Sequence, residues 1–569
     1  MSLVEIFLKI RAWFKNEKNE SGFVYAMLAF LILGPLFASG YVLTTDMVFT
    51  PKIPMPADVG SSYLIGVFLH LLNYVVPSQI IEKILLFLAI FLAGEGMHRL
   101  APAKSKWAKY FAGIFYIFNP FVYSRFLYGH LFLLLAFALA PWFAKTVFAF
   151  FEKMNFRNAL KVGLFFALFG FVAIHSIYFV FLFFAVCFLF HIFRNRNNRE
   201  EILKTFKLSF LAGLIFFIFS SWWLAPAFLG RSQTSQFITN QIDDRHFERF
   251  KTDAGDKYGV ILNTAAMYGF WGDREGRYIA QKEFAPQWLA IYILILLIAL
   301  WGALANSNFW KKKKELYIGP MIIVGAVSLA LAVGIAYDGF APLVKFLNNH
   351  LPLYKGYREP QKWAGLLILA YAYLGSLGAD DLAARLRKLA VSARSKFCRK
   401  LSLFVFPAFF LLIPIAYSPG LFWGFHGQLK AVDYPQSWYE ANDLLNSDKD
   451  DFKVLFLPWR QYIELDFAGK IIANPAPNFF DKPVIAGDNM EMHDIYTQSV
   501  RPESKYIEEE ILANRENIKN LGEKLLPLNI KYVILVQETN YLDYDFVAEQ
   551  EDLELIYYKE RIQVYEVIK

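Results

Sequence analysis

Arg358, Glu359 and Lys362 stand in LPLYKGYREPQKWAG (Leu351 to Gly365), directly before the apolar run Ala364 to Gly375. Charge at the mouth of a membrane span is costly to bury and points to function. Arginine offers a planar fork of donors suited to phosphate oxygens. Glu359 would orient that fork or act on its own. A plainer role also fits. Pro360 suits a first helical turn, where its missing N–H costs nothing, and Lys362 can snorkel.

Other polar residues recur beside apolar runs. Asp46 follows the first run at once, in TTD. A carboxylate held between lipid and water can act as a base or ligate a hard cation; the bland alternative is a helix-terminating Asp. Asp58, after PMPADVG, is a second candidate carboxylate, or a cap for the next helix through its side-chain oxygen. Arg125 and His130 are separated by FLYG, a turn that would bring them together; each also fits a plain interfacial anchor. His175, in FVAIHSIYF, reads more readily as a packing residue. The run Asp243–Asp244–Arg245–His246 resembles a metal box but falls in a solvated loop, and WGDREG is a lone Gly/Asp cluster. The chain has no GxxxxGK[ST], HExxH or paired CxxC motif. Its two cysteines, Cys187 and Cys398, form neither a disulfide framework nor a metal cage.

The elements that must position these residues are apolar helices. The 569 residues are 56% hydrophobic, 18% aromatic and only 19% charged, a balance foreign to soluble domains. The apolar runs are long and lack dyad alternation, so they are helices rather than barrel strands. The expected architecture is a polytopic α-helical membrane protein of about eleven spans, near 23–43, 80–100, 108–124, 130–150, 161–175, 177–193, 207–228, 286–305, 317–336, 361–379 and 401–420. Lys/Arg-rich connections fall on alternate sides in one register. The positive-inside rule makes them cytoplasmic, with the N-terminal lead (1–22) inside and the C-terminal segment outside a plasma membrane. Topology thus explains the +8 net charge better than nucleic-acid binding does.

On that topology every candidate but the inner Glu95 and His98 sits at the outer interface. The first outer loop (44–79) carries a short apolar helix with His70 and Asn73, too short to span; the longest (230–287) carries the Asp/Arg/His run and WGDREG. From about Leu421 the pattern changes, with 27 acidic against 15 basic residues. FKVLFLPW and IKYVILV are short β-rich runs, and LELIYYKERIQVYEVI reads as two strands around a Lys-Glu-Arg turn. ESKYIEEEILANRENIKNLGEKLLPLN reads as one charged amphipathic helix. The expected domains are therefore a transmembrane domain (23–420) and a small outer α/β domain (421–569).

NPFVYSRFLYGHLFLLLAFALAPW (Asn119 to Trp142), YREPQKW (Tyr357 to Trp363), FKVLFLPW and LNIKYVILV together resemble the GT-C glycosyltransferase superfamily. Within it the look is closest to prokaryotic membrane proteins related to the arabinofuranosyltransferase AftD and to YfhO-like proteins. The resemblance implies a polyprenyl-phosphate sugar donor, a glycan or lipid-linked acceptor in the cell envelope, Asp46 in the place of the catalytic acid, and Arg358 facing donor phosphate. Lys362, Arg125, His130, Glu359 and Asp58 are the supporting candidates. TTD is not an Asp-x-Asp pair, so a divalent metal, held by Asp46 if by any residue, stays an open alternative. The WWDYG-type motif of oligosaccharyltransferases is absent. The rival function is a non-catalytic scaffold or a component of a surface-polymer assembly or export system.

Overall fold

The computed structural model describes residues 16–56, 63–305, 317–392, 396–489, 491–492, 495–497, 499 and 501–568. Asp58 lies outside them. The main helices are α1 (Glu17–Leu33), α2 (Tyr63–Asn73), α3 (Ser78–Leu100), α4 (Lys106–Ile117), α5 (Pro120–Leu127), α6 (Leu131–Glu152), α7 (Phe156–Val172), α8 (Ile177–Arg194), α9 (Arg199–Phe228), α10 (Trp288–Ala305), α11 (Ile318–Val333), α12 (Ala364–Ser392) and α13 (Lys396–Tyr417). The first begins inside the expected 1–22 lead.

Among the described residues, seven helices are long and apolar enough to cross a membrane. They are α1, α6, α8, α9, α10, α11 and α12 with their flanking turns; the bent pair Phe404–Tyr417 and Pro419–His426 would make eight. The expected eleven are not recovered, for physical reasons. Helix α3 has the length, at 23 residues, but carries Glu82, Lys83, Glu95 and Arg99. The run 108–124 is broken. Asn119 caps α5 by accepting from Val122 N (3.0 Å) and donates to the Phe115 and Tyr116 carbonyls that end α4. Pro120, with no N–H to give, opens the new helix. Helix α7 stops at 17 residues, where His175 enters a 3₁₀ turn. The short apolar helix of the first outer loop is present as α2.

The C-terminal domain has strands β1 (Lys453–Leu457), β2 (Tyr462–Leu465), β3 (Lys470–Ala473), β4 (Val484–Ile485), β5 (Glu491–Met492), β6 (Ile495–Tyr496), β7 (Ile530–Val536), β8 (Leu553–Lys559) and β9 (Ile562–Val567). Five form a mixed sheet in the order β4-β1-β7-β9-β8, with β1 parallel to β4 and β7, and β9 antiparallel to β7 and β8. The Lys-Glu-Arg hairpin is β8–β9. Alternation feeds two cores: Val454, Phe456, Ile534 and Val564 on one face, Leu455, Leu457, Val533 and Tyr565 on the other. The charged segment 503–529 is not one helix. It breaks into Pro502–Tyr506, a π-turn Ile507–Ile511, a 3₁₀ turn and Leu521–Leu525. Glu508 is drawn off to accept from Trp459 Nε1 (3.0 Å), and Pro527 stops any continuation.

The membrane region and this domain are stitched together. Tyr41 and Val432 exchange backbone hydrogen bonds of 2.7 and 2.9 Å, and Tyr41 and Leu43 join the C-terminal core. The hairpin β2–β3 continues onto the segment that follows α1, where Ala473 N donates to Thr45 O (2.8 Å).

Candidate functional site

The break before α5 turns the chain so that Arg125, on its last turn, points inward with no exposed surface. Its Nη1 donates to Glu359 Oε2 (2.7 Å) and His130 Nδ1 (2.8 Å), and its Nη2 to Gln361 Oε1 (2.6 Å). The guanidinium lies 4.2 Å from the Phe270 ring centroid, a cation–π contact from the long loop 230–287. Glu359 also meets Lys362 Nζ at 3.2 Å. Burial alone would raise the Glu359 carboxyl; Lys362 and Arg125 overcome it and hold the group well below the usual carboxylate range.

His130 extends this chain. Arginine has no acceptor, so His130 Nδ1 must accept, and the ring proton of the neutral tautomer sits on Nε2. Nε2 then donates to Asp46 Oδ2 at 2.9 Å. The turn that permits this needs Gly129 at φ +79°, where a Cβ would collide with Thr44 Oγ1. Asp46 N donates to Tyr128 O at 3.0 Å, so the carboxylate is fixed at both backbone and side chain. Its other oxygen accepts from the hydroxyl of Tyr462, on β2 of the C-terminal domain, at 2.8 Å. One line therefore runs Tyr462, Asp46, His130, Arg125, Glu359, Lys362. Asp46 is its most open carboxylate, with a side chain 37% exposed against 11% for Glu359.

Arg358 stands apart from that line. It is half-buried, over the Phe250 ring at 4.9 Å, with Nε unpartnered and no carboxylate within salt-bridge distance among the described residues. Its chain neighbour Tyr357 forms one wall of an apolar crevice of about 220 Å³, lined also by His175, Tyr178, Phe216, Trp223 and Leu353. His175 meets Tyr357 edge-on, a packing contact. Helix α9 forms one lip and exposes Phe210, Ile218 and Phe219.

The remaining candidates fall elsewhere. Asp243 caps the helix Asp244–Phe250 and holds His246 and Arg245, so that run serves a loop. Among the described residues no group of three acidic, histidine or cysteine side chains is placed to hold a metal. Asp46 faces hydrogen-bond donors on both oxygens, a setting that does not suit a cation. Three residues of the site carry no local sequence signal, or a faint one. Tyr462 is an ordinary strand tyrosine, far from Asp46 in sequence. Gln361 sits inside YREPQKW. Asp273 of WGDREG accepts from Ser124 Oγ (3.0 Å) next to Arg125, and burial pushes its carboxyl up to about 6.

No family model matches the chain, and no curated protein matches its sequence. Solved structures do. The cryo-EM structure of the arabinofuranosyltransferase AftD from mycobacteria aligns over 96% of this chain at 14% identity, with a TM-score of 0.60. A point mutant of the same enzyme aligns over 96% at 15% identity and a TM-score of 0.58. The chain therefore shares its fold with this part of AftD. The chain spans about 40% of the length of the AftD chain it matches. The shared fold takes in the helical membrane region and the attached C-terminal domain together, because the alignment runs through both.

Proposed function

We propose that the chain is an integral-membrane glycosyltransferase that moves a sugar from a polyprenyl-phosphate donor to an extracytoplasmic glycan or lipid-linked acceptor. One observation carries the reading: an oriented, accessible carboxylate, Asp46, shares one end of the helical bundle with Arg358, an arginine with no carboxylate partner among the described residues, whose chain neighbour Tyr357 lines an apolar crevice. That arrangement suits an amphiphile with a long apolar chain and an anionic head. The fold shared with AftD supports glycosyl transfer in general.

In the proposed step the acceptor hydroxyl attacks the anomeric carbon. The new bond is acceptor oxygen to carbon, and the bond broken is carbon to phosphate oxygen. The hydroxyl proton passes to Asp46, and the electron pair of the broken bond leaves with polyprenyl phosphate. A lipid phosphate is already a stabilised leaving group, so the work is positioning and charge neutralisation. Arg358 meets the phosphate and Lys362 adds positive charge behind it. Arg125, with both terminal nitrogens engaged, is a positioning residue: it fixes His130, which fixes Asp46. No step is routed through a metal. The positive-inside rule supports an outward-facing site.

The test is transfer from a labelled polyprenyl-phosphate sugar by the purified full chain in nanodiscs. Asp46→Asn keeps the shape and removes the base, and transfer falls by about 10²–10⁴-fold. Unchanged transfer would remove Asp46 from its role.

A further inference from the structure

A second group of charges borders Asp46 from the side of the C-terminal domain. Lys470, on β3, is half-buried, and its Nζ makes one hydrogen bond, to the Gln428 carbonyl at 3.2 Å. It stands 5.6 Å from the centroid of the Tyr278 ring. Lys430 lies close enough for its like charge to act on Lys470, and Arg277 acts on Tyr278 from the other side. Among the described residues none of the three cations has a carboxylate within salt-bridge distance. They gather where the acidic C-terminal domain meets the membrane region, against the sign of that domain.

Two further features mark this corner as built. Tyr278 Oη and Thr45 Oγ1 face each other, yet their geometry falls short of a hydrogen bond, leaving two buried hydroxyls unsatisfied beside Asp46. The frame is rigid. Gln428 accepts from Ile279 N (2.7 Å) and donates to Tyr123 Oη (2.8 Å), and Ala473 of the same strand is tied to Thr45. Burial, with Lys430 adding to it, pushes the Lys470 amine down to about 8. Holding this ammonium charged near neutral pH therefore costs stability, a cost that a bound anion would cancel.

We propose that Lys470, Lys430 and Arg277, with the Tyr278 and Thr45 hydroxyls, form a binding site for a phosphate or diphosphate group carried by the acceptor. The site places the acceptor on the C-terminal-domain side of Asp46, across from Arg358. Calling the ligand an acceptor rests on the transferase reading; the anion site itself does not.

The experiment is thermal unfolding of the detergent-solubilised full chain with and without inorganic pyrophosphate. Pyrophosphate raises the melting temperature of the native chain and of Arg358→Gln, and Lys470→Met loses most of that rise. Without ligand, Lys470→Met melts higher than the native chain, because an uncompensated buried charge is gone; a purely structural lysine would melt lower. Arg277→Gln weakens the pyrophosphate response several-fold and guards against a Lys470 variant that misfolds. Farnesyl diphosphate and glucose 1-phosphate form the two further arms. A stronger response to the first assigns a lipid-borne acceptor phosphate, and to the second a sugar-borne one. An equal pyrophosphate response in native and Lys470→Met protein overturns the site. So does a response lost only in Arg358→Gln. Asp46→Asn separates the two ideas: it retains pyrophosphate binding even if transfer fails.

Discussion

The two ends of the helical bundle both carry ion pairs, and they use them differently. At the end away from the C-terminal domain, Lys106 meets Glu20 and Lys109 meets Glu17, each at 2.7 Å, and Arg99 pairs with Glu95 one helical turn before it. The two lysine pairs fasten α4 to α1, the Arg99–Glu95 pair stays within α3, and the lysines stay partly exposed. At the Asp46 end the contacts run in series, through a fully buried arginine, to a carboxylate left open. Parallel pairs fasten helices. A serial line transmits orientation from one residue to the next, and its value depends on every link.

Breaking the serial line at its centre has the largest effect. Arg125→Met leaves the buried Glu359 with Lys362 alone and unties His130 and Gln361, which costs up to about 3–5 kcal/mol. The melting temperature of the detergent-solubilised protein falls, and transfer is lost with it. Asp46→Asn, by contrast, abolishes transfer at little cost in stability. At the far link, Tyr462→Phe removes one hydroxyl from Asp46 and keeps the ring; kcat falls about 3–10-fold, as one hydrogen bond of about 0.5–1.5 kcal/mol predicts. The smallest effect belongs to the opposite end. Lys106→Met removes a half-exposed pair worth about 0.5 kcal/mol, with transfer unchanged. If Lys106→Met cost as much as Arg125→Met, the contrast between the ends would fail.

Much of this was legible in the chain. Long apolar runs pointed to the helical membrane region, and the β-rich runs beyond Leu421 pointed to a C-terminal sheet. The strands 453–457, 530–536, 553–559 and 562–567 followed from their β-rich runs. Asp46, Arg125, His130, Glu359 and Lys362 were each visible as polar residues beside apolar ones, and the structure joins them. Their order of connection was not visible, because it depends on which loop folds over which. Tyr462 was illegible for the same reason: it reaches Asp46 across 416 residues of sequence. The break at Asn119–Pro120 did have a signal, a capping asparagine before a proline, but apolar residues on both sides read as one span. The charged segment after Pro502 looked helical by composition, and tertiary contacts such as Glu508 to Trp459 overrode that preference.

The distance along the chain between Arg125 and its carboxylate has a consequence for synthesis. Glu359 lies 234 residues after Arg125. At about 5–20 residues per second, the arginine is made tens of seconds before its counter-ion exists. During that interval the guanidinium has His130, the already synthesised Asp46 and, later, Asp273 near it, but not the carboxylate that it binds in the finished fold. The segment from Asn119 to His130 therefore waits at the bilayer surface until α12 is threaded, and Tyr462 reaches Asp46 later still. The Asp46 end of the molecule is therefore finished late, although its first residues are made early. A ribosome that stops before Glu359 leaves a half-protein whose most buried residue has nowhere to go.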